Sequence, residues 1–395
     1  MGCSASKRAT NGSNNNTPVN AKKIQVVDNK DESQNPPVKE SSKDTQKEEK
    51  ESSSNVANIE SDKVAQSDLR TGNSVASSTV SFTKREETTD AAERDASSLH
   101  EALESSGSFK VTEAIKILAP VDYEYRQSVR TKFEEKFNEN LVEKIVVNEE
   151  RTLETALRNL VRSKSECLAD YLHHSVKTNN IKTLVEILTA WSPEVIAQAK
   201  QIYEKDRRVS LKEDISNTFS EKMSEESRTI LLSLSLLERD DESKPVDESI
   251  SNEECDEMSQ SGKAIIDVVT TKKHNLGQLS SIFHQFQAKY FLEIAESIEI
   301  EFQDETEIIL KTIINIVKDT PGHFAQELNE MFCKSSVNKD RMAFILVTRQ
   351  PVDLSHIVNE YEKLTNGSLT EAVNKNLKGN FRDLLKLIIE RAKSS

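Results

Sequence analysis

The chain has 395 residues, of which 35% are apolar and 30% are charged, and its formal net charge at pH 7 is −14. This acidic balance argues against a nucleic-acid partner, because nucleic-acid binding needs a concentrated basic face. The cysteines (Cys3, Cys167, Cys255 and Cys333) are far apart and show no metal-binding spacing, so we expect a reduced, cytosolic protein. No hydrophobic signal peptide is present, and no uninterrupted apolar run is long enough to cross a bilayer.

We predict that residues 1–94 form a disordered tail. The segment consists mainly of Ser, Asn, Lys, Glu and Thr, and Phe82 is its only aromatic residue. Such a composition cannot bury enough apolar surface to offset the entropy lost on ordering. We therefore expect a flexible tether in front of a folded region.

The first residues of this tail carry an acylation pattern. Gly2 and Ser6 fit the N-myristoylation pattern M-G-x-x-x-[ST], and the neighbouring Cys3 is a candidate for palmitoylation. A single myristoyl chain binds membranes only marginally, at about 10⁴ M⁻¹, so stable anchoring needs a second signal. Residues 1–27 contain four basic side chains and no acidic one, which favours the anionic inner face of the plasma membrane. An unmodified polar terminus is the alternative.

From Asp95 to Ser395 the sequence predicts an all-α array of four repeats. Apolar spacings of three and four indicate short helices, and no sustained alternation indicates a strand. An aromatic residue followed by aliphatic residues eight and twelve positions later occurs four times: Phe133/Leu141/Ile145, Tyr203/Leu211/Ile215, Phe286/Ile294/Ile298 and Tyr361/Leu369/Val373. We expect units of about five helices at 95–175, 176–237, 258–332 and 333–395, which bury their apolar faces by stacking.

The longest interval between repeats contains an acidic segment at 238–257. It holds ten acidic residues against Arg239 and Lys244. Charge runs of this kind are usually solvated, so we predict a linker between two halves of the molecule. This segment and the tail are also candidate surfaces for a protein partner.

Four stretches of the sequence are distinctive: Asp319–Leu328 (DTPGHFAQEL), Ile345–Arg349 (ILVTR), Leu184–Leu188 (LVEIL) and the pair Tyr203-Glu204. These stretches resemble the annexin family. The resemblance covers Asp95 to Ser395, and it implies the annexin fold and calcium-dependent binding to acidic phospholipid. In that family, calcium is held on a convex face by backbone carbonyls of a G-x-G-T loop and by a carboxylate about forty residues later, a ligand set that suits this hard cation.

The sequence departs from this pattern at most of the expected calcium ligands. The four loops correspond to residues 105–109, 177–180, 259–262 and 334–337, and none has two glycines. The distal positions hold Asn148, Thr218, Glu301 and Asn376, of which only Glu301 is acidic. Because calcium prefers six to eight oxygen ligands, we expect its binding to be weak or lost, with Glu301 as the residual metal ligand.

Three lysines lie in or next to these loops. If the family geometry applies, Lys177, Lys334 and Lys339 face the membrane, where each can contribute about 1 kcal/mol near an anionic surface. Ordinary solvated lysines are the alternative interpretation.

The sequence shows no nucleophile elbow, zinc-protease or phosphate-loop pattern, so we do not expect an enzyme. We predict a lipid-anchored peripheral scaffold that binds acidic phospholipid membranes, with calcium dependence weak or lost. Two alternatives remain open: a conventional calcium-dependent phospholipid-binding protein, and a soluble helical adaptor.

Overall fold

The computed structural model describes residues 87–394, apart from 105–108, 149, 222, 237 and 335. Within these residues the structure is entirely helical and contains no strand, which confirms the all-α prediction. The helices are α1 (Thr89–Glu104), α2 (Val111–Leu118), α3 (Tyr123–Phe137), α4 (Leu141–Lys144), α5 (Arg151–Val161), α6 (Lys164–Lys177), α7 (Ile181–Ala190), α8 (Pro193–Arg207), α9 (Leu211–Phe219), α10 (Glu225–Leu236), α11 (Glu248–Met258), α12 (Gly262–Thr270), α13 (Leu276–Tyr290), α14 (Ile294–Glu301), α15 (Glu305–Cys333), α16 (Lys339–Thr348), α17 (Leu354–Thr365), α18 (Leu369–Asn376) and α19 (Gly379–Lys393).

Helix α15 is two helices joined at a kink. Asp319 has non-helical dihedral angles (φ −160°, ψ 90°), and Pro321 follows it in the first turn of the second segment. The Asp319 carboxylate accepts a hydrogen bond from the backbone N–H of Gly322 at 2.9 Å, as a helix N-cap does. The array therefore divides into four groups of five helices, beginning at α1, at α6, at α11 and at the second segment of α15.

The repeated sequence positions form the core of each group. All twelve aromatic and aliphatic positions of the predicted pattern are buried. The aromatic residue lies on the third helix of a group, and the first aliphatic residue begins the fourth helix. Between these two helices each group has a residue in the left-handed conformation: Asn138, Arg208, Phe291 or Asn366. The same turn thus connects the same two helices four times.

The boundary of the predicted tail is too late in the chain. Helix α1 begins at Thr89, and Ala91, Ala92 and Asp95 are buried. Residues 89–94 therefore belong to the folded region, because three-residue and four-residue spacings of small side chains create a packing face that composition alone does not reveal.

The prediction of a solvated linker over 238–257 is wrong for its second half, because residues 248–257 lie in α11. Ser251, Cys255 and Met258 form the buried face of this helix, while most of the acidic side chains lie on its exposed face. The exception is Glu254, which is buried and paired with His274 at 2.7 Å. Only 238–247 connects two groups, and the predicted boundaries at 176, 258 and 333 follow the start of a group by about one helix.

A buried arginine joins the second and fourth groups. Arg349 donates hydrogen bonds to the backbone carbonyl of Ala190 at 2.9 Å and to the carboxylate of Asp353 at 2.8 Å. Its guanidinium lies 4.9 Å from the ring centroid of Trp191 and 5.1 Å from that of Phe324. Since Trp191 is buried in this contact, it is part of the core.

Candidate functional site

The candidate ion loops lie at equivalent places in the four groups. Each loop connects the first helix of a group to the second, and each distal position lies in or just after the fourth helix. The fold therefore presents four comparable sites whose side-chain chemistry differs.

The third site brings the one distal carboxylate against its loop. A Cβ atom added to Gly262 would lie 2.8 Å from Oε2 of Glu301 and 2.7 Å from the ring of Phe302. Ser261 is the N-cap of α12, and its hydroxyl accepts a hydrogen bond from the backbone N–H of Ala264 at 3.3 Å. The Glu301 carboxylate thus lies at the N-terminal end of α12, where negative charge is favourable.

This arrangement offers few ligands for calcium. Glu301 is exposed and supplies two carboxylate oxygens, whereas calcium takes six to eight oxygens. The ring of Phe302 lies against the same glycine, where an ion-binding loop would need space. Any further ligands would have to be backbone carbonyls of 259–261, water or phosphate oxygens.

The second site is an open cavity of about 550 Å³ between the end of α6 and the end of α9. Its lining includes Lys177 and Thr218, which are the loop and distal residues singled out in the sequence. It also includes Asp214 and Glu221, which the sequence analysis did not identify. These acids lie four residues before and three residues after Thr218, a helical spacing that could have indicated them.

The fourth site is basic. Lys334 follows α15 and Lys339 begins α16, and both are exposed. The ammonium group of Lys339 lies 5.7 Å from the ring centroid of Phe381 at the start of α19, so the loop and the distal segment meet there. The side-chain amide of Asn376 donates to the carbonyl of Ala372 on its own helix at 2.9 Å. The distal position of this site thus holds a neutral amide that is bonded within its own helix, and the described loop residues include an exposed lysine.

Of the loop in the first site, only Phe109 is described. Next to it, the carboxylates of Glu104 and Glu139 pair with the ammonium of Lys144 at 2.9 and 2.7 Å. The hydrogen bond from Lys144 lowers the pKa of Glu104. His100 completes a cluster of possible metal ligands with these two acids, but the Lys144 ammonium already pairs with both of them.

A second cluster of possible metal ligands is buried between the second and fourth groups. Glu186 on α7 accepts a hydrogen bond from the Arg341 guanidinium on α16 and lies 2.8 Å from Nε2 of His323. Arg341 also donates to Glu327 on α15, at 2.8 Å between Nε and Oε1, and to the hydroxyl of Thr183 at 3.1 Å. A guanidinium therefore supplies the cation that Glu186, His323 and Glu327 could otherwise hold. The four-residue spacing of His323 and Glu327 was the only sequence signal for this cluster.

No helix in the described part of the chain combines the length and the apolar character needed to span a bilayer. The predicted acylation residues Gly2 and Cys3 lie outside the described residues.

Comparisons with known proteins agree with the fold. The family model described as Annexin matches residues 323–388. Annexin A13 of Mus musculus is 28% identical over 307 residues, which are 74% of this chain and 93% of that protein. Among solved structures, annexin III superimposes with a TM-score of 0.67 at 23% identity, covering 75% of this chain and 93% of that one. A structure titled calcium-bound annexin (Sm)1 gives a TM-score of 0.66 at 21% identity, covering 75% and 90%.

One assignment follows from the fourfold grouping of five helices, the buried pattern that repeats with it, and the match to the family model and its relatives. The chain has the annexin fold, and its sequence is similar to those of annexins.

Proposed function

We propose that this protein is a non-catalytic, lipid-anchored scaffold on the inner face of the plasma membrane, in which acyl groups on Gly2 and Cys3 supply most of the anchoring. The observation that carries the proposal is the ligand count at the four ion sites. One distal carboxylate, Glu301, lies at its loop, while the other distal positions are neutral Asn or Thr. A site with one charged ligand binds calcium weakly.

Exposed lysines support membrane contact that does not need calcium. Lys177, Lys334 and Lys339 all belong to the ion loops or the residues beside them. An ammonium group near an anionic leaflet contributes about 1 kcal/mol. Three such contacts could orient an acylated protein on the membrane, although they would not anchor it alone.

The second candidate function is conventional calcium-dependent binding to phospholipid through the third site. The close approach of Glu301 to Gly262 favours it, since here the distal carboxylate of the family pattern lies against its loop. This function requires the third site to respond to calcium below about 10⁻³ M, the weak end of the range for protein sites.

Vesicle sedimentation separates these functions. Unacylated full-length protein is mixed with phosphatidylserine vesicles over a calcium series, beside Glu301→Gln and the matched control Glu296→Gln, whose exposed carboxylate lies on the same helix. We expect no calcium response below about 1 mM for any of the three proteins. Submillimolar binding that Glu301→Gln abolishes and Glu296→Gln retains would favour the conventional function instead.

A soluble adaptor is distinguished by the intact mass of the native protein. The proposal requires both a myristoyl and a palmitoyl mass increment on the N-terminal residues. A native protein with neither group, bound to a protein partner through the tail or the 238–247 connector, would contradict it.

A further inference from the structure

A polar cavity of about 350 Å³ lies away from the ion loops, where α5, α6, α8 and α16 meet. These helices come from the first, second and fourth groups. The cavity is formed by long polar side chains over a small apolar floor that includes Ala343. Its position means that three of the four groups must pack together to form it.

Three arginines from distant places in the sequence line this cavity. Arg151 is the first residue of α5, Arg162 directly follows α5, and Arg207 is the last residue of α8. The acids that line it are Asp170 and Asp340, so the formal balance of these five residues is positive. The cavity is therefore a local basic site on an acidic protein.

One carboxylate holds two of the guanidinium groups in place. Oδ2 of Asp170 lies 2.6 Å from Nη1 of Arg162, and Oδ1 lies 2.9 Å from Nη2 of Arg207. Arg162 is also fixed by Asn159, whose side-chain oxygen accepts a hydrogen bond at 3.1 Å. These contacts engage one nitrogen of each guanidinium, which carries five N–H donors in all, so both groups are oriented and retain donors.

Neutral donors complete the lining. The phenol of Tyr171 accepts a hydrogen bond from the amide of Asn159 at 3.1 Å, which leaves its own proton to donate. Burial raises the pKa of Tyr171, so the phenol stays protonated at neutral pH. The other acid, Asp340, accepts a hydrogen bond from the hydroxyl of Thr152 at 2.6 Å.

We propose that this cavity binds a phosphorylated polyol, with separate phosphate groups towards Arg151 and Arg207 and the polyol hydroxyls towards Asn159 and Tyr171. Planar guanidinium groups match phosphate oxygens in pairs, and charge-assisted bonds of this kind are about twice as strong as neutral ones. The cavity also has hydroxyl and amide partners that a bare phosphate would not use. The ligand is either a soluble inositol phosphate or the same headgroup on a lipid.

Calorimetry on the full-length chain, with calcium chelated, tests the site with inositol 1,4,5-trisphosphate as the probe and inorganic phosphate as the comparison. Arg151→Gln and Arg207→Gln remove exposed charges from the cavity, and Arg94→Gln removes an exposed charge on α1 as the matched control. We expect trisphosphate to bind more tightly than phosphate, and each cavity variant to weaken it about five-fold or more, as loss of a charged contact predicts. The control should stay within about two-fold of wild type, a change below about 0.5 kcal/mol.

A parallel sedimentation assay identifies the source of the ligand. Phosphatidylcholine vesicles with and without phosphatidylinositol 4,5-bisphosphate are compared using the same variants. If the protein binds the vesicles that contain phosphatidylinositol 4,5-bisphosphate, and the cavity variants weaken that binding, the ligand is the lipid headgroup. If only the soluble probe binds, the ligand is soluble. The proposal is overturned if neither probe binds, or if both cavity variants bind as tightly as Arg94→Gln. Thermal unfolding of each variant shows that the fold is retained.

Discussion

The sharpest stability prediction concerns Arg341→Gln. Arg341 belongs to the buried cluster that also contains Glu186, His323 and Glu327. The guanidinium bonds both carboxylates, and Glu186 is fully buried. Burial would raise the pKa of Glu327, but the hydrogen bonds and charge of Arg341 outweigh burial and lower that pKa to about 2. Removing Arg341 leaves two carboxylates in a poorly solvated place, with Lys182 at 3.4 Å from Glu327 as a partial substitute.

The size of the effect follows from the burial of the pair. Breaking a buried ion pair on one side costs about 3–5 kcal/mol, since the remaining charge loses both water and its partner. In the wild type, the depressed pKa of Glu327 adds stability that is fully present above pH 4.5 and is lost as the pH falls towards 2. In Arg341→Gln, burial should instead raise the pKa of Glu327, so the penalty is present at pH 7 and decreases as this carboxylate takes up a proton towards pH 5.

Urea unfolding followed by circular dichroism at pH 7 and pH 5 measures both effects. We expect Arg341→Gln to lose about 3–5 kcal/mol at pH 7 and distinctly less at pH 5, and the added change Glu327→Gln to restore part of the loss. The control is Arg382→Gln, whose partner Asp383 is at the surface, with an expected loss below about 1 kcal/mol. A loss below about 1 kcal/mol for Arg341→Gln, or one that is equal at both pH values, would refute the reasoning.

Two further predictions concern packing and reactivity. Gly322→Ala places a Cβ atom 2.0 Å from the carboxylate of Asp319, so the loss of this N-cap should lower the free energy of unfolding in urea by at least about 1 kcal/mol. In the control Gly277→Ala the added Cβ meets its nearest atom at 3.5 Å, so this variant should be neutral or stabilising. Equal stability of the two variants would contradict this. Burial raises the pKa of the Cys167 thiol to about 12. Iodoacetamide should therefore label exposed Cys333 in the native protein and Cys167 only after unfolding. Rapid labelling of Cys167 in the native protein at pH 8 would contradict its burial.

The sequence was sufficient for the core because the fold repeats a local pattern. Phe133, Tyr203, Phe286 and Tyr361 recur with the same apolar partners, and each is buried on an equivalent helix. Helical periodicity is a short-range signal, so it can be recognised without knowing what each helix packs against. The error at α11 arose because a high density of acidic residues hid a narrow buried face of that helix.

The polar sites could be predicted only in part, since they depend on long-range contacts. Glu186 and Arg341 are 155 residues apart, and their pairing follows from how α7 and α16 pack. Arg151 and Arg207 likewise line one cavity only in the folded protein. Glu301 was identified because the family pattern fixes its distance from the loop, and the structure adds that Phe302 lies against that loop too.

Membrane association of the protein in cells, measured with calcium chelated, tests the central claim most directly. Wild type is compared with Gly2→Ala, which removes the acceptor amine for myristate, and with Gly12→Ala, a glycine substitution elsewhere in the tail. We predict that wild type and Gly12→Ala remain in the membrane fraction, and that Gly2→Ala moves to the soluble fraction. Retention of Gly2→Ala on membranes without calcium would contradict the account.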